Sequence, residues 1–263
     1  GRTPNPDVLC NSEIKFRAFL DHAVNMGADW IATGHYARTR RLDDGTVQLL
    51  KGSDPGKDQS YFLHRLSQEQ VSRAIFPVGG MMKTEVRAIA KKIGLPVAEK
   101  KDSTGICFIG ERPFREFLER YLPTKEGEIR TPDGTPEGRV IGKHIGLAFY
   151  TIGQRRGLGI HLNRPVFVKE IHKERNEVIL APLASLYKEE MLLKDWNIVD
   201  TSRLLNSEDV IVRIRYRKQA NHCTVSITDE NLLHVLLREP LESIASGQAA
   251  AFYDEAGLLL GGG

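Results

Sequence analysis

The residue pattern changes near Pro123, and this change restricts the chain to a fold with two kinds of architecture. Before this point, helical and strand-like patterns alternate, which is typical of α/β proteins with a parallel sheet. After it, short strand-like runs are separated by turns rich in Gly, Pro and polar residues, which is typical of β-rich domains. We therefore predict an α/β domain over residues 1–122, a small central β-rich domain over 123–183 and a β-barrel over 184–263.

The α/β part is predicted from two helices and one strand. Asn11 or Ser12 can cap a helix that ends at Gly27. Residues 29–33 form a buried strand that stops before a Gly-His pair, and residues 84–93 form a second helix. The positions expected to point inward on this second helix are Val86, Ile89, Ala90 and Ile93. This order predicts an incomplete doubly wound parallel sheet, which binds its ligand in the loops that follow the strands.

The β-rich part contains a predicted hairpin. Residues 166–171 and 178–180 alternate as strands do, and a polar turn over 173–176 joins them. A short strand is also predicted over 128–130. The glycines at 261–263 directly follow an apolar strand-like run, so we expect the barrel sequence to continue beyond them.

The composition excludes several classes of protein. No run of about 18 apolar residues is present, so we expect no membrane span, and the first residues do not form a signal peptide. Three cysteines in 263 residues do not make a disulfide scaffold, and no cysteine pair has zinc-ligand spacing. We expect a cytoplasmic monomer. Its net charge of +3 permits nucleic-acid binding without proving it.

Two cysteines lie in segments that suit sulfur chemistry. Cys10 precedes the first predicted helix, where the positive end of the helix dipole favours a thiolate. Cys107 lies in a loop of small and polar residues that can expose its sulfur. Such thiols can attack, carry sulfur and form a disulfide with each other. The alternative is that each is a small buried apolar residue. Cys223 lies in a strand pattern and is predicted to be structural.

Asp7 lies three residues before Cys10, in a segment that Pro6 makes stiff. A carboxylate at this position can act as a general acid or base for the thiol chemistry. The alternative is a turn residue that binds the backbone, which is a common role of aspartate.

Two polar loops are candidate ligand contacts. Gly34 ends a strand, where the lack of a side chain lets a ligand approach the backbone, and His35 can stack on a base. Residues 57–59 follow Gly56 in a loop that can contact phosphate and base edges. A glycine required for steric reasons and a solvated loop are the alternatives.

Arginines alternate with apolar residues over 210–218. If this segment is a strand, Arg213, Arg215 and Arg217 lie on one face at about 7 Å spacing, which suits a phosphate backbone. A salt-bridged barrel exterior is the alternative.

Several strings, in this order, resemble those of the bacterial MnmA family of tRNA-specific 2-thiouridylases. The resemblance extends over residues 1–263. The strings are TPNPDVLCN, ATGHYAR, GKDQSYFL, FPVGG with KTEVR, KKDSTGICFIG, YTIGQRRGLGI, VRIRYR and ASGQAAAFYD.

This resemblance implies a fold and a reaction. The α/β domain is expected to be an N-type ATP-pyrophosphatase, followed by a small β-rich domain and a barrel similar to those of translation factors. ATP and Mg²⁺ are expected to serve in adenylating the C2 oxygen of the wobble uridine in tRNAs for Lys, Glu and Gln. Sulfur then replaces that oxygen. The implied partners are tRNA and an upstream persulfide sulfur-relay protein.

The resemblance also implies roles for individual residues. Cys107 corresponds to the persulfide carrier, and Cys10 to the second catalytic cysteine, which releases the sulfur or forms a transient disulfide with Cys107. Asp7 corresponds to the acid or base, and Gly34 to an ATP contact. The target-base positions are Asn5, Pro6 and Asp7, and the tRNA-contact positions are His35, Lys57, Asp58, Gln59, Arg215, Tyr216 and Gln248.

The sequence departs from the family pattern in one respect. The family has an SGGVDS loop that holds the ATP phosphates on backbone N–H groups, and this sequence contains neither that loop nor a Walker-type phosphate loop. We therefore expect the chain alone to be unable to adenylate tRNA. We also expect it to be poorly stable, because missing strands of the sheet leave apolar edges exposed.

Two other classes of function compete with thiolation. The first is a tRNA-binding module without chemistry. The second is a dithiol oxidoreductase that uses Cys10 and Cys107, although the chain has no Cys-x-x-Cys motif.

Overall fold

The computed structural model describes residues 3–102, 114–122, 124–132, 138–216 and 221–263, which form a mixed α/β structure. No helix in these ranges has the length and apolar character needed to cross a membrane. The α-helices are α1 (Pro6–Leu9), α2 (Phe19–Asn25), α3 (Gln68–Ser72), α4 (Lys83–Lys92), α5 (Phe114–Glu119) and α6 (Thr201–Asn206). A π-helical segment covers Cys10–Ala18, and 3₁₀-helices cover Ser60–Leu63, Leu147–Phe149 and Leu183–Leu186.

The strands belong to four sheets. The two small sheets pair β1 (Ile31–Ala32) with β4 (Ala74–Ile75), and β2 (Ala37–Arg41) with β3 (Val47–Lys51). The four-stranded sheet contains β5 (Gly127–Thr131), β6 (Arg139–His144), β7 (Phe167–His172) and β8 (Glu177–Ala181). The seven-stranded sheet contains β9 (Tyr187–Leu193), β10 (Asn197–Ile198), β11 (Val210–Arg213), β12 (Asn221–Ile227), β13 (Leu233–Glu242), β14 (Ala251–Tyr253) and β15 (Leu259–Gly262).

The first helical region begins earlier than the sequence predicted. Its N-cap is Asn5, and α1, the π-helical segment and α2 follow one another without a break. Asn11 and Ser12, the predicted caps, are instead buried inside the helix. The physical reason is the Asn5-Pro6 pair, because asparagine is a good cap and proline fits the first helical position. The predicted end is confirmed at Gly27, which has φ +94°.

The parallel sheet is small in the described ranges. Strands β1 and β4 pair in parallel with Ile31 opposite Ala74, so the predicted strand over 29–33 is present but shorter. The mixed α/β character of this region is confirmed. The more specific N-type ATP-pyrophosphatase fold stays a prediction.

Helix α4 forms close to its predicted position, but its apolar face is not buried as predicted. Ile89 and Ile93 are 47% and 65% exposed, and no residue of α4 is buried. An amphipathic pattern shows that a helix has one apolar face, and it does not determine which element covers that face.

The central β-rich sheet confirms the predicted hairpin. Its strand order is β6-β5-β8-β7, and β7 and β8 pair antiparallel with Val168 opposite Leu180. The turn between them contains Asn176 at φ +53°, a conformation that asparagine tolerates better than most residues. The predicted strand over 128–130 is also confirmed as part of β5.

The seven-stranded sheet has the order β10-β15-β14-β11-β12-β13-β9. Strand β11 pairs antiparallel with both β12 and β14. It ends at Arg213, so the predicted strand over 210–218 is too long. The predicted row of three arginines on one strand face is therefore wrong at Arg215, which follows the strand, and the prediction for Arg217 lies outside the described residues.

The chain divides into two compact units. One contains Gly1–Pro4, Gly105–Met191 and Glu239–Gln248, and the other contains Asn5–Thr104, Leu192–Arg238 and Ala249–Gly263. The core of the second unit combines residues distant in sequence, including Phe16, Tyr61, Leu63, Ala249 and Tyr253. The domain boundaries predicted at 122 and 183 stay predictions.

Candidate active site

Asn5 anchors the start of the helix that carries Asp7 and Cys10. Its side-chain oxygen accepts a hydrogen bond from the backbone N–H of Val8 at 3.3 Å, and its side chain also bonds to the Tyr61 hydroxyl. The Tyr61 hydroxyl in turn donates to the carbonyl of Ala249 at 2.9 Å. Because Tyr61 is only 1% exposed, the helix start is tied directly to the core.

Asp7 and Cys10 are three residues apart in this helical region, and residues at this spacing are neighbours on a helix surface. Both side chains are half-buried. Burial raises the pKa of the Asp7 carboxyl, and the nearby Lys15 opposes this shift. A raised pKa favours a carboxyl group that can exchange a proton at neutral pH. The three-residue spacing therefore makes a candidate acid or base and a candidate nucleophile neighbours on the helix surface.

Cys10 does not lie at the helix N-terminus as predicted. The backbone N–H of Cys10 donates to the carbonyls of Pro6 and Asp7, so the residue lies in the second turn of the helical region and not before it. The dipole effect is concentrated in the first turn.

The helical region becomes π-helical at Cys10. The nine-residue segment Cys10–Ala18 ends with the Phe19 N–H donating to the Ile14 carbonyl, five residues earlier. Such segments are rare and often occur at functional sites. Asn11 is 4% exposed, and its Oδ1 has no hydrogen-bond partner within the described part of the chain. This amide oxygen was missed as a candidate, since its sequence position suggested a helix cap.

Gly34 and His35 follow the parallel strand β1. Gly34 is exposed, and a side chain at its position would meet no atom within 4 Å, so a ligand can approach its backbone. His35 is 7% exposed, contacts the Phe16 and Phe76 rings, and hydrogen-bonds to the Thr33 hydroxyl at 2.9 Å. Burial, and secondarily Lys15, lowers the His35 pKa to about 4. The imidazole is therefore neutral at pH 7, and its predicted tRNA contact stays a prediction.

A cluster of cations surrounds Asp102. Lys57, Lys83 and Arg87 lie 2.6, 3.4 and 3.4 Å from its carboxylate oxygens. The hydrogen bond from Lys57 is the largest cause that lowers the Asp102 pKa, to about 2. One negative charge among three positive charges leaves this surface positive, which suits the tRNA contact predicted for Lys57.

Asp58 and Gln59 serve the structure of the loop that contains them. Asp58 is 3% exposed, and its Oδ1 accepts from the Gly52 N–H at 3.0 Å and from the Ser60 hydroxyl at 2.7 Å. Gln59 exchanges hydrogen bonds with the Tyr36 backbone, accepting through Oε1 at 3.1 Å and donating through its N–H at 2.8 Å. Their tRNA contacts stay predictions, and the side chain of Asp58 has little surface with which to make one.

The arginine at the end of β11 has a structural role. Arg213 donates to Asp58 Oδ2 at 3.1 Å, and its guanidinium carbon lies 5.5 Å from the centre of the Tyr253 ring. Arg215 and Tyr216 are half-buried, and the Tyr216 ring packs 4.7 Å from that of Phe62. The chain thus brings the predicted tRNA positions at 58 and 213–216 into one unit.

The remaining predicted residues have different outcomes. Gln248 donates through Nε2 to the Thr3 carbonyl at 2.9 Å, so its amide is partly used within the protein. Cys107 lies outside the described residues, and its predicted pairing with Cys10 stays a prediction. Cys223 is 3% exposed, and burial raises its pKa to about 12, which confirms a structural role. No local pattern indicates Tyr61 as an anchor, because its partner Ala249 is distant in the chain.

Family models match the chain in three consecutive segments. A tRNA methyl transferase HUP domain matches residues 1–111, and a tRNA methyl transferase PRC-barrel domain matches residues 115–182. An aminomethyltransferase β-barrel domain matches residues 188–263.

Relatives with assigned functions are similar over the whole chain. A tRNA-specific 2-thiouridylase MnmA 1 of Bacteroides fragilis is 53% identical over 273 residues, covering 100% of this chain and 74% of the relative. A tRNA-specific 2-thiouridylase MnmA of Cupriavidus taiwanensis is 50% identical, with the same two coverages. The MnmA of Staphylococcus haemolyticus is 48% identical, covering 100% of this chain and 70% of the relative.

Proposed function

This chain belongs to the MnmA family of tRNA-specific 2-thiouridylases, which are sulfurtransferases, and we propose that it transfers sulfur to the wobble uridine of tRNA through a persulfide on Cys107, and that without the ATP loop of the family it does not adenylate tRNA alone. The tRNAs proposed as substrates are those for Lys, Glu and Gln. The observation that carries the proposal is the placement of Asp7 beside Cys10 on a helical region held by Asn5.

The proposed sulfur transfer uses both cysteines. The outer sulfur of the Cys107 persulfide attacks C2 of the uridine, and the oxygen at C2 leaves. The Cys10 thiolate then attacks the inner sulfur of Cys107, so a Cys10–Cys107 disulfide forms and the persulfide S–S bond breaks. The electron pair of that bond stays with the outer sulfur, which remains on C2 as the thiocarbonyl. An external thiol reduces the disulfide, and the upstream relay protein restores the persulfide.

Asp7 is proposed to hold or accept a proton at the reacting base. Its raised pKa suits this role, because a group that titrates nearer to neutral pH exchanges protons more effectively. Asn5 positions the helix start and Pro6 makes the backbone stiff, so these two residues would orient Asp7 toward the base.

ATP is the proposed co-substrate, and the open backbone at Gly34 fits the approach of such a ligand. When bound, ATP supplies the activation that makes the C2 oxygen a leaving group. Within the described ranges, no group of three or more His, Cys, Asp or Glu could hold a metal ion, so we assign no protein ligand to Mg²⁺.

The proposed tRNA surface includes Lys57, Arg215 and Tyr216. The positive charge around Asp102 supports this proposal, since cations that face phosphates supply most of the affinity for RNA. Asp58 and Gln59 would contribute by holding the loop of Lys57, and His35 and Gln248 complete the proposed set.

The test measures thiolation and tRNA affinity separately. Purified protein receives unmodified tRNA, ATP, Mg²⁺ and a persulfide donor, with and without an added polypeptide that carries the SGGVDS loop of the family, and nucleoside mass spectrometry then detects 2-thiouridine. We expect Cys10→Ser and Cys107→Ser each to abolish thiolation while tRNA affinity stays within about twofold, because neither change removes a charge that faces phosphate. Cys223→Ala is the matched control, and it should retain thiolation because that thiol is buried and protonated.

The possible results separate the candidate functions. Retained thiolation in either serine variant would remove that cysteine from the mechanism. Binding of tRNA without 2-thiouridine in the unsubstituted protein, even when the polypeptide with the SGGVDS loop is added, would assign the chain to tRNA binding alone. Two of the three family models are described as tRNA methyl transferase domains, and a methylated nucleoside in place of 2-thiouridine would support that description instead.

A further inference from the structure

The unit that contains the central β-rich sheet has a basic loop, which we define as residues 155–166. No aspartate or glutamate occurs over residues 138–169, and within this stretch residues 155–166 contain arginines at 155, 156 and 164 and a histidine at 161. None of these four side chains has a role in the proposed thiolation chemistry. A stretch of this length without an acidic residue points to an anionic ligand.

Part of this loop forms a cavity of about 360 Å³. Its polar lining consists of Arg155, His161, Asn163 and Arg164, and its apolar lining includes Leu158 and Val166. We call it the basic cavity. A lining that combines several polar and cationic side chains with apolar ones is typical of a binding site.

The loop is held firmly by the core beneath it. Leu158 and Val166 are 5% and 6% exposed and belong to the hydrophobic core of this unit. The side chain of Gln154 accepts a hydrogen bond from the Thr151 N–H at 3.0 Å and donates one to the Arg156 carbonyl at 3.0 Å. It therefore connects the backbone before Arg155 to the backbone after it. The basic cavity is therefore preorganised, which lowers the cost of binding.

The arginines of the loop differ from other arginines of the same unit. Arg130 pairs with Glu177 at 3.1 Å, and Arg175 pairs with Glu177 at 3.0 Å. No carboxylate among the described residues lies within salt-bridge distance of the exposed Arg155 and Arg164. The loop arginines thus keep their charge available, whereas the others use theirs to stabilise the sheet.

We propose that the basic cavity binds backbone phosphates of tRNA, at a site additional to the tRNA positions proposed above. A guanidinium can donate two parallel hydrogen bonds to one phosphate. The cavity lining contains no Phe, Tyr or Trp ring on which a base could stack, so the contact is with the backbone and is independent of base sequence. An acidic protein would need an apolar contact surface, and Leu162, 41% exposed, is a single such side chain at this cavity.

The experiment measures the salt dependence of RNA binding. The double variant Arg155→Ala, Arg164→Ala is compared with the unsubstituted protein for binding to unmodified tRNA at increasing KCl concentration. The proposal rests on the proposed function only for the identity of the RNA, so a random-sequence RNA stem is the second probe. Loss of two phosphate contacts should lower the slope of log affinity against log salt by about 1.5 and weaken binding at least tenfold at low salt.

Two controls make the result specific. Lys143→Ala, Lys173→Ala removes the same net charge from exposed positions of the same unit and should change the slope by less than half as much. Arg155→Lys, Arg164→Lys keeps the charges and should keep most of the slope, with weaker binding because lysine lacks the bidentate geometry. Circular dichroism melting checks that each variant is folded.

An unchanged slope in the double alanine variant would overturn this proposal, as would an equal loss in the lysine-to-alanine control. If the unsubstituted protein thiolates tRNA and the slope is unchanged, only the basic cavity is refuted. If no thiolation occurs but the arginine variant lowers the slope on both RNAs, the cavity stands and the proposed function fails.

Discussion

Replacing Asp58 by asparagine tests whether the buried carboxylate is a structural group or a tRNA contact. In the unsubstituted protein, Gly52 and Ser60 donate hydrogen bonds to Oδ1 of Asp58. In Asp58→Asn, the side-chain oxygen can still accept these bonds. Oδ2 of Asp58 accepts a hydrogen bond from Arg213 at 3.1 Å. In the variant, the amide NH₂ group takes the place of Oδ2, so a donor faces the guanidinium where an acceptor was. The substitution therefore preserves shape and removes one charge.

The magnitude follows from the burial of both partners. The side chains of Asp58 and Arg213 are 3% and 21% exposed. Leaving one partner of a buried ion pair uncompensated costs about 3–5 kcal/mol, and the partial exposure of Arg213 places the expected loss near 3 kcal/mol. Burial and Arg213 lower the pKa of Lys51, and the negative charge of Asp58 opposes this shift. Loss of that charge therefore also destabilises the charged form of Lys51 and adds to the loss of stability.

Urea unfolding measures this loss as a lower midpoint with an unchanged slope. The double variant Asp58→Asn, Arg213→Met removes both partners, and it should be more stable than the sum of the single losses predicts, by about 1–3 kcal/mol. In buffer without urea, and at a temperature where each variant is folded, tRNA affinity should stay within about threefold of the unsubstituted protein. The reason is that the carboxylate is buried.

A loss below 1 kcal/mol in Asp58→Asn would refute the reasoning, since it would mean that Arg213 finds water or another acceptor. Strict additivity in the double variant would refute the pairing itself. A large loss of tRNA affinity in a fully folded single variant would instead support the family-based tRNA contact at this position.

Three further predictions concern pH, the helix cap and tRNA. Between pH 7 and pH 5 the protein should lose roughly 2 kcal/mol of stability for each of His35 and His64, because burial lowers both pKa values to about 4 while the unfolded chain takes up protons below about 6.5. Asn5→Ala should cost about 1 kcal/mol by removing the cap and should reduce thiolation more than tRNA affinity. Arg215→Ala should weaken tRNA binding and lower its salt slope by about one.

The controls for these predictions come from the same chain. His64→Gln should reduce the pH dependence, whereas His22→Gln, on the exposed surface of α2, should leave it unchanged. Equal stability of the unsubstituted protein at both pH values would contradict the burial argument. Unaltered thiolation in Asn5→Ala would mean that core packing alone positions the helix, and an unaltered slope in Arg215→Ala would exclude a phosphate contact there.

Local patterns predicted the elements whose structure depends on neighbouring residues. The hairpin of β7 and β8, the helix α4 and the turn at Gly27 all follow from periodicity and turn chemistry within about ten residues. The early helix start was also encoded locally, in Asn5-Pro6. The prediction places the cap at Asn11 or Ser12 because the apolar period becomes clear only after Cys10.

Contacts between distant residues could not be predicted from one sequence. Arg213 alternates with apolar residues just as a phosphate-binding arginine would, and only the approach of Asp58, 155 positions earlier, shows its structural role. The same limit applies to the exposed face of α4, where periodicity identifies an apolar stripe without identifying a neighbour.

The bond between the Tyr61 hydroxyl and the Ala249 carbonyl has a consequence for biosynthesis. Its two residues are 188 positions apart, so a ribosome adding roughly 5–20 residues per second makes Tyr61 about 10 to 40 seconds before its acceptor exists. During that interval the aromatic side chains around Tyr61 lack part of their final environment. A chaperone that shields nascent chains should therefore bind this stretch, and folding should be slow because the decisive contacts have high sequence separation.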